Sequence, residues 1–188
     1  MEYVLKFDTE KPNPDLYMVI IYTLAITIIS NVIFIVICAI FRIDSNASLD
    51  REKNEEYKIW KSKKISIWSL IVTELFNNSI YSPIAEEFAL RFLFLKVILV
   101  KRMRLNPEYA NIIQGLTFGL LHIANVSSTL QTKTYTYLQA MSAGIAGMIS
   151  GWVYIHSNSI LPSLFSHMIN NGAAGIGEII GYIKYLKK

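Results

Sequence analysis

Cysteine is almost missing from this chain. Cys38 is the only one in 188 residues, so no intrachain disulfide can form and cysteine pairing says nothing about redox compartment. Charge is thin as well: Asp, Glu, Lys and Arg make up 17% of the residues against 53% hydrophobic. With a mean hydropathy of +0.37, this lies above the range of ordinary water-soluble domains and makes a membrane protein the default. There is no low-complexity tract to suggest a disordered domain, no period of a soluble repeat, and no internal inverted repeat of the kind that transporters carry. The HExxH helix of the familiar zinc peptidases is also lacking.

What the chain has instead is long apolar runs. Leu16 to Phe41 contains no charged residue and is long enough to span a bilayer with some tilt. It reads as a retained first helix that packs Cys38 inside it. The stretch before it carries Glu2, Asp8, Glu10 and Asp15 against Lys6 and Lys11, and no small-residue cleavage site follows, so it does not read as a secretory signal. Further apolar segments run from Ile65 to Tyr81, Pro83 to Val100, Pro107 to Ala124, Tyr135 to His156 and Ile160 to about Ile183. The expected fold is all-α, a polytopic integral membrane bundle of about six to seven membrane helices. Residues 1–64 supply an N-terminal segment with the first helix and a basic polar loop, and 65–188 supply the core.

The basic loop over 42–64, with Arg51, Lys53, Lys58, Lys61, Lys63 and Lys64, and the Lys101, Arg102, Arg104 cluster both read as cytoplasmic. That requires two crossings between them, and it sends the C-terminal YIKYLKK outward unless the last segment folds back. Small residues at Gly147 and Gly151, and at Ala173, Gly177 and Gly181, have the spacing of close helix packing.

Against this apolar background PIAEEFALRF, Pro83 to Phe92, carries three charges. Ser82 and Pro83 suit a helix start, a capping serine followed by proline at the first helical position. Glu86 and Glu87 then meet the positive end of the helix dipole. Glu87 and Arg91, four apart with the acid first, can pair on one face. Glu86 lies about 100° round the helix from Glu87 and is left to point into the bundle as a proton acceptor. The plainer reading makes all three the polar end of a helix that snorkels to the headgroups.

Other polar groups lie at membrane depth. His122 follows Phe118 by one turn in QGLTFGLLHIAN, and Asn171 follows His167 by one turn in LPSLFSHMINNG. His156, beside SNS at a helix end, reads as interfacial. Glu74 and Asn78 share a face, either lining the same cavity or, preferably, bonding to one another. Glu178 takes no assigned role.

In order and on separate apolar helices, Glu86-Glu87-x-x-x-Arg91, Phe118-x-x-x-His122 and His167-x-x-x-Asn171 resemble the CPBP family of intramembrane proteases. This family is also called Abi or the CAAX-protease family, with members linked to bacteriocin self-immunity. The resemblance covers roughly Ser82 to Gly172. It implies an endopeptidase in which Glu86, assisted by His122, activates a water, while His167 and Asn171 donate to the oxyanion. Glu87, Arg91 and Phe118 are then structural support. The competing arrangement is a metalloprotease site with Glu86, His122 and His167 as three zinc ligands; otherwise no cofactor is implied.

The expected partners are the lipid bilayer and a hydrophobic peptide substrate, either lipidated or a secreted peptide precursor, with no nucleic acid. The expected location is a bacterial plasma membrane, on the Ile, Asn and Lys richness of the chain. The alternative from another class is a non-catalytic immunity or regulatory protein on the same fold, for instance a sensor-kinase partner. A transporter is the third reading.

Overall fold

A computed structural model describes residues 6–8, 10–12, 14–41, 45–123 and 133–187, and among them all regular structure is helical. Helix α1 is Leu16–Ile40, opened by Asp15, whose carboxylate accepts from Met18 N at 2.7 Å. Helix α2 is Ser45–Ser62. Helix α3, Ile67–Ile71, is capped by the Ser66 hydroxyl. It leads into a π-helical stretch Val72–Tyr81, then α4 (Ser82–Glu87) and a second π-helical stretch Phe88–Arg102. Helices α5 (Pro107–Ile123), α6 (Lys133–Ser157) and α7 (Leu161–Leu186) complete the chain.

Three sequence expectations change here. Within the stretch expected as a polar loop, Ser45–Ser62 is a helix. Tyr57 and Trp60 anchor it, Tyr57 meeting the rings of Trp60, Tyr182 and Tyr185 at 5.5–5.8 Å between centroids. The segments expected over 65–81 and 83–100 are one continuous run, because Tyr81, Ser82, Glu87 and Phe88 all have right-handed helical backbone angles. Ser82 therefore caps no helix start, and no exposed helix end lies beside Glu86 and Glu87 for its dipole to act. The last segment, for which the sequence left a fold-back open, is the single helix α7.

The tightest packing is between α5 and α6. A Cβ on Gly119 would stand 2.6 Å from the Ala140 carbonyl oxygen, and one on Gly151 would collide with the side chains of Asn111 and Gln114. The Gly147 and Gly151 face thus packs as its spacing predicts. The Ala173, Gly177 and Gly181 face is different. Gly177 meets open space and Ala173 is exposed, whereas Gly181 closes against Tyr57 and Gly175 abuts Glu74. The face of α7 that packs is rotated toward Gly175, Ile179 and Tyr182, because bulky buried side chains cover more area than the small ones beside them.

Helix α1 joins the bundle through Ile37 and Cys38 against Leu138 of α6. It joins α7 through two polar rungs: the Thr27 and Ser166 hydroxyls share a hydrogen bond at 2.9 Å, Thr27 Oγ1 accepting because its own proton goes to the Thr23 carbonyl, and Asn31 Nδ2 donates to Asn170 Oδ1 at 3.0 Å.

One end of the bundle holds a buried cluster of Leu95, Leu99, Ala110, Tyr154 and Ile160; the other holds Tyr57, Leu70, Ile179 and Tyr182. Roughly 30 Å of helix separates Ile160 from Tyr182. Helix α2 and the Lys101, Arg102, Arg104 cluster therefore lie at opposite ends rather than on one face, since a single run joins them. At the Leu99 end, Asn158, with a left-handed φ of 56°, holds the N-terminal segment by bonding both N and O of Asp8. The buried Lys96 ammonium donates to the Lys6 carbonyl at 2.6 Å.

By length and composition, α1 and Thr136–Ser157 are apolar enough to cross a membrane. The other long helices carry buried polar groups, but they too turn large apolar side chains outward. Examples are Trp68 and Phe76, Leu116 and Leu120 on α5, and Ile169 and Ile176 on α7, each between 48% and 76% exposed. Apolar surface on this scale calls for a lipid surround.

Candidate active site

Pro83 shapes the site through a hydrogen bond that it cannot make. In the π-helical stretch before it, the Ser82 N–H reaches five residues back to the Asn77 carbonyl. The next such bond would run from residue 83 to the Asn78 carbonyl, but proline has no N–H, and a wide turn is how a helix makes room for its ring. Asn171 of α7 fills the gap, its Nδ2 donating to Asn78 O at 2.9 Å. Nearby, Asn78 Nδ2 donates to Glu74 Oε2 at 3.0 Å, the local pairing preferred from the sequence.

Glu87 is the buried member of the acidic pair, 2% exposed, beside Arg91 at 1%. Arg91 Nε approaches Glu87 Oε2 at 3.2 Å, a charge contact and not an aligned hydrogen bond. The same oxygen accepts a short bond from the Ser163 hydroxyl, and His167 Nδ1 lies 3.2 Å from Oε1. Arg91 in turn stacks its guanidinium over the Phe118 ring at 5.2 Å. The buried Gln114 oxygen, in the orientation that satisfies both ends of its amide, accepts from Arg91 Nη1 at 2.7 Å. Ser163, His167 and Gln114 supply the hydrogen bonds that a charge pair this deep needs.

Glu86 faces elsewhere. Its side chain is 37% exposed, and with Leu90, Phe118, Leu121 and His122 it lines a cavity of about 260 Å³. Oε1 accepts from Ser82 Oγ at 2.7 Å, and Oε2 lies 3.7 Å from His167 Nε2. His122 is held by Nδ1 at the Phe118 carbonyl, 2.9 Å away, and its ring meets Phe118 edge-on at 4.7 Å. Phe118 also meets His167 edge-on at 5.9 Å.

Five of the residues singled out from the sequence thus gather around Phe118 or the acidic pair itself: Glu86, Glu87, Arg91, His122 and His167. Asn171, one turn beyond His167, is engaged with the Asn78 backbone. His156 sits apart, exposed, 3.5 Å from Glu108. Among the described residues no group of three His, Cys, Asp or Glu side chains is gathered to hold a metal ion. In this arrangement both nitrogens of His167 face the acidic pair, and His122 Nδ1 faces a carbonyl.

Ser82, Ser163 and Gln114 were not foreseen. Ser82 was legible only as a cap, and Ser163 and Gln114 belong to helices whose partners the sequence does not name. For Gln114 the one available signal was an uncharged amide amid an apolar helix.

These are the groups of acid–base chemistry, two carboxylates and two imidazoles, enclosed in a helical bundle with an apolar exterior. The family model described as type II CAAX prenyl endopeptidase Rce1-like matches residues 66–173. This chain belongs to that family, and so to a family of membrane proteases. The match takes in every site residue from Ser82 to Asn171 and leaves out α1. Neither the curated proteins nor the solved structures compared with the chain gave a match.

Proposed function

We propose that this protein is an intramembrane endopeptidase that cleaves a hydrophobic or membrane-associated peptide with a water activated by Glu86. The observation that carries the reading is the cavity shared by Glu86 and His122, with Glu87 locked beneath it by Arg91, Ser163 and His167. Water bound between Glu86 and His122 gives a proton to Glu86 as its oxygen adds to the peptide carbonyl carbon. The tetrahedral intermediate then collapses, the C–N bond breaks, and Glu86 returns the proton to the leaving nitrogen. His167 Nε2, when protonated, and the second amide hydrogen of Asn171 are the donors for the developing oxyanion. No step is routed through a metal.

For the substrate, a second cavity of about 400 Å³ between α5 and α6 supports a strongly apolar portion. Leu116, Leu120, Ile123, Tyr137, Met141 and Ile145 are among its walls. A lipidated peptide, such as the prenylated ones that the family description names, or a secreted precursor suits it. We place the α2 end in the cytoplasm of a bacterial cell, because the lysines of α2 and of the C-terminal turn then share one side.

The test compares membranes from cells producing the wild-type chain or Glu86→Gln at equal abundance, with new peptide termini mapped by mass spectrometry. Termini made only by the wild type are expected; equal termini in both would sink the assignment. Adding a chelator to the wild-type reaction reads metal dependence separately.

A further inference from the structure

We infer that Ser82 is a positioning residue for Glu86, its hydroxyl holding the carboxylate toward the cavity; this rests on the reading of Glu86 as the base. A serine or threonine inside a helix ordinarily gives its proton to the carbonyl four residues back. Three threonines in this chain do so: Thr23 to Val19, Thr27 to Thr23 and Thr117 to Ile113, all at 2.7–2.8 Å.

Ser82 does not. Its carbonyl of that kind is Asn78 O, the group orphaned by Pro83 and filled by Asn171, and its hydroxyl turns forward to Glu86 Oε1 at 2.7 Å. The bond leaves Oε2 as the oxygen on the His167 side. Glu86 needs such a tether more than Glu87 does, because its side chain is 37% exposed against 3%. The groups around it are Glu87 and Arg91 on its own run, His122 from α5 and His167 from α7. A neutral hydrogen-bond donor sets the rotamer without adding a charge to that set.

Alanine is a better helix former than serine, so a serine whose hydroxyl did nothing here would be replaced without loss. The same appearance of termini, followed over time after induction, separates the cases. Ser82→Ala is expected to be about ten- to a hundredfold slower than wild type, the range for losing a hydrogen bond to a charged group, at unchanged abundance. Ser82→Thr, which keeps the hydroxyl, restores the rate. On a Glu86→Gln background, Ser82→Ala has no further effect.

Wild-type speed in Ser82→Ala beside an inactive Glu86→Gln overturns this inference and leaves the proposed function standing. Equal slowing by Ser82→Ala and Ser82→Thr also overturns it, since packing and not the hydroxyl is then what matters. Full activity in Glu86→Gln removes the base, and the role of Ser82 with it.

Discussion

Glu86 and Glu87 are chain neighbours with the same side chain, yet the bundle treats them in opposite ways. Glu87 points into the contact with α7, where Arg91, Ser163 and His167 meet its oxygens and water is excluded. Glu86, about 100° further round, opens onto a cavity and, among the described residues, accepts its hydrogen bond from Ser82, with His167 further off at 3.7 Å. The difference teaches that a buried, fully satisfied carboxylate serves the framework. An accessible one with a spare oxygen is the one able to exchange a proton.

Substitutions that hit one side and spare the other sharpen this contrast. The largest effect is expected from Glu86→Gln, a loss of cleavage of about 10²- to 10⁴-fold with abundance and thermal stability unchanged, read by the termini assay and by melting in detergent. Arg91→Ala should show the reverse pattern. Stripping the cation from a buried carboxylate costs about 3–5 kcal/mol, visible as a lower melting temperature and poor accumulation before any question of rate arises. If Arg91→Ala instead accumulates normally and melts like the wild type, the division between the two glutamates breaks.

Asn171→Ala is expected to cost about 1–3 kcal/mol by leaving the Asn78 carbonyl unmet. Adding Pro83→Ala supplies an N–H for that carbonyl and should restore melting without restoring cleavage, if Asn171 also serves the oxyanion. Smallest is Thr27→Val, which removes one rung between α1 and α7. Hydrogen bonds between membrane helices average about 0.6 kcal/mol, so a shift of a degree or two in melting with near-normal cleavage is the expected reading.

Much of the site was legible because helical spacing is local. Glu87 and Arg91, Phe118 and His122, and His167 and Asn171 each lie four apart, and each pair falls on one face of the helix that carries it. The apolar runs were legible for the same reason. Local spacing misled at Ser82 and Pro83, where a cap and a helix start were read from a pair that lies inside a continuous run. It misled again at Ala173 and Gly177, which face outward, although Gly181 of the same repeat does pack, against Tyr57. The helix α2 was hidden by its charge, since Tyr57 and Trp60 dock it through aromatic partners, Tyr182 and Tyr185, that are more than a hundred residues away.

By itself, then, the order of residues determined a helical chain with an apolar exterior, the pairing of Glu87 with Arg91, and which polar residues four apart share a helix face. These follow from backbone periodicity and side-chain polarity, which act within a turn or two. Tertiary structure decided which glutamate is locked and which is open, and that Ser163 and Gln114 belong to the site. It also decided that Asn171 answers for the hydrogen bond that Pro83 cannot make. Those outcomes depend on how α5 and α7 are rotated against the Ile67–Arg102 run, and that rotation is set by packing summed over whole helix faces.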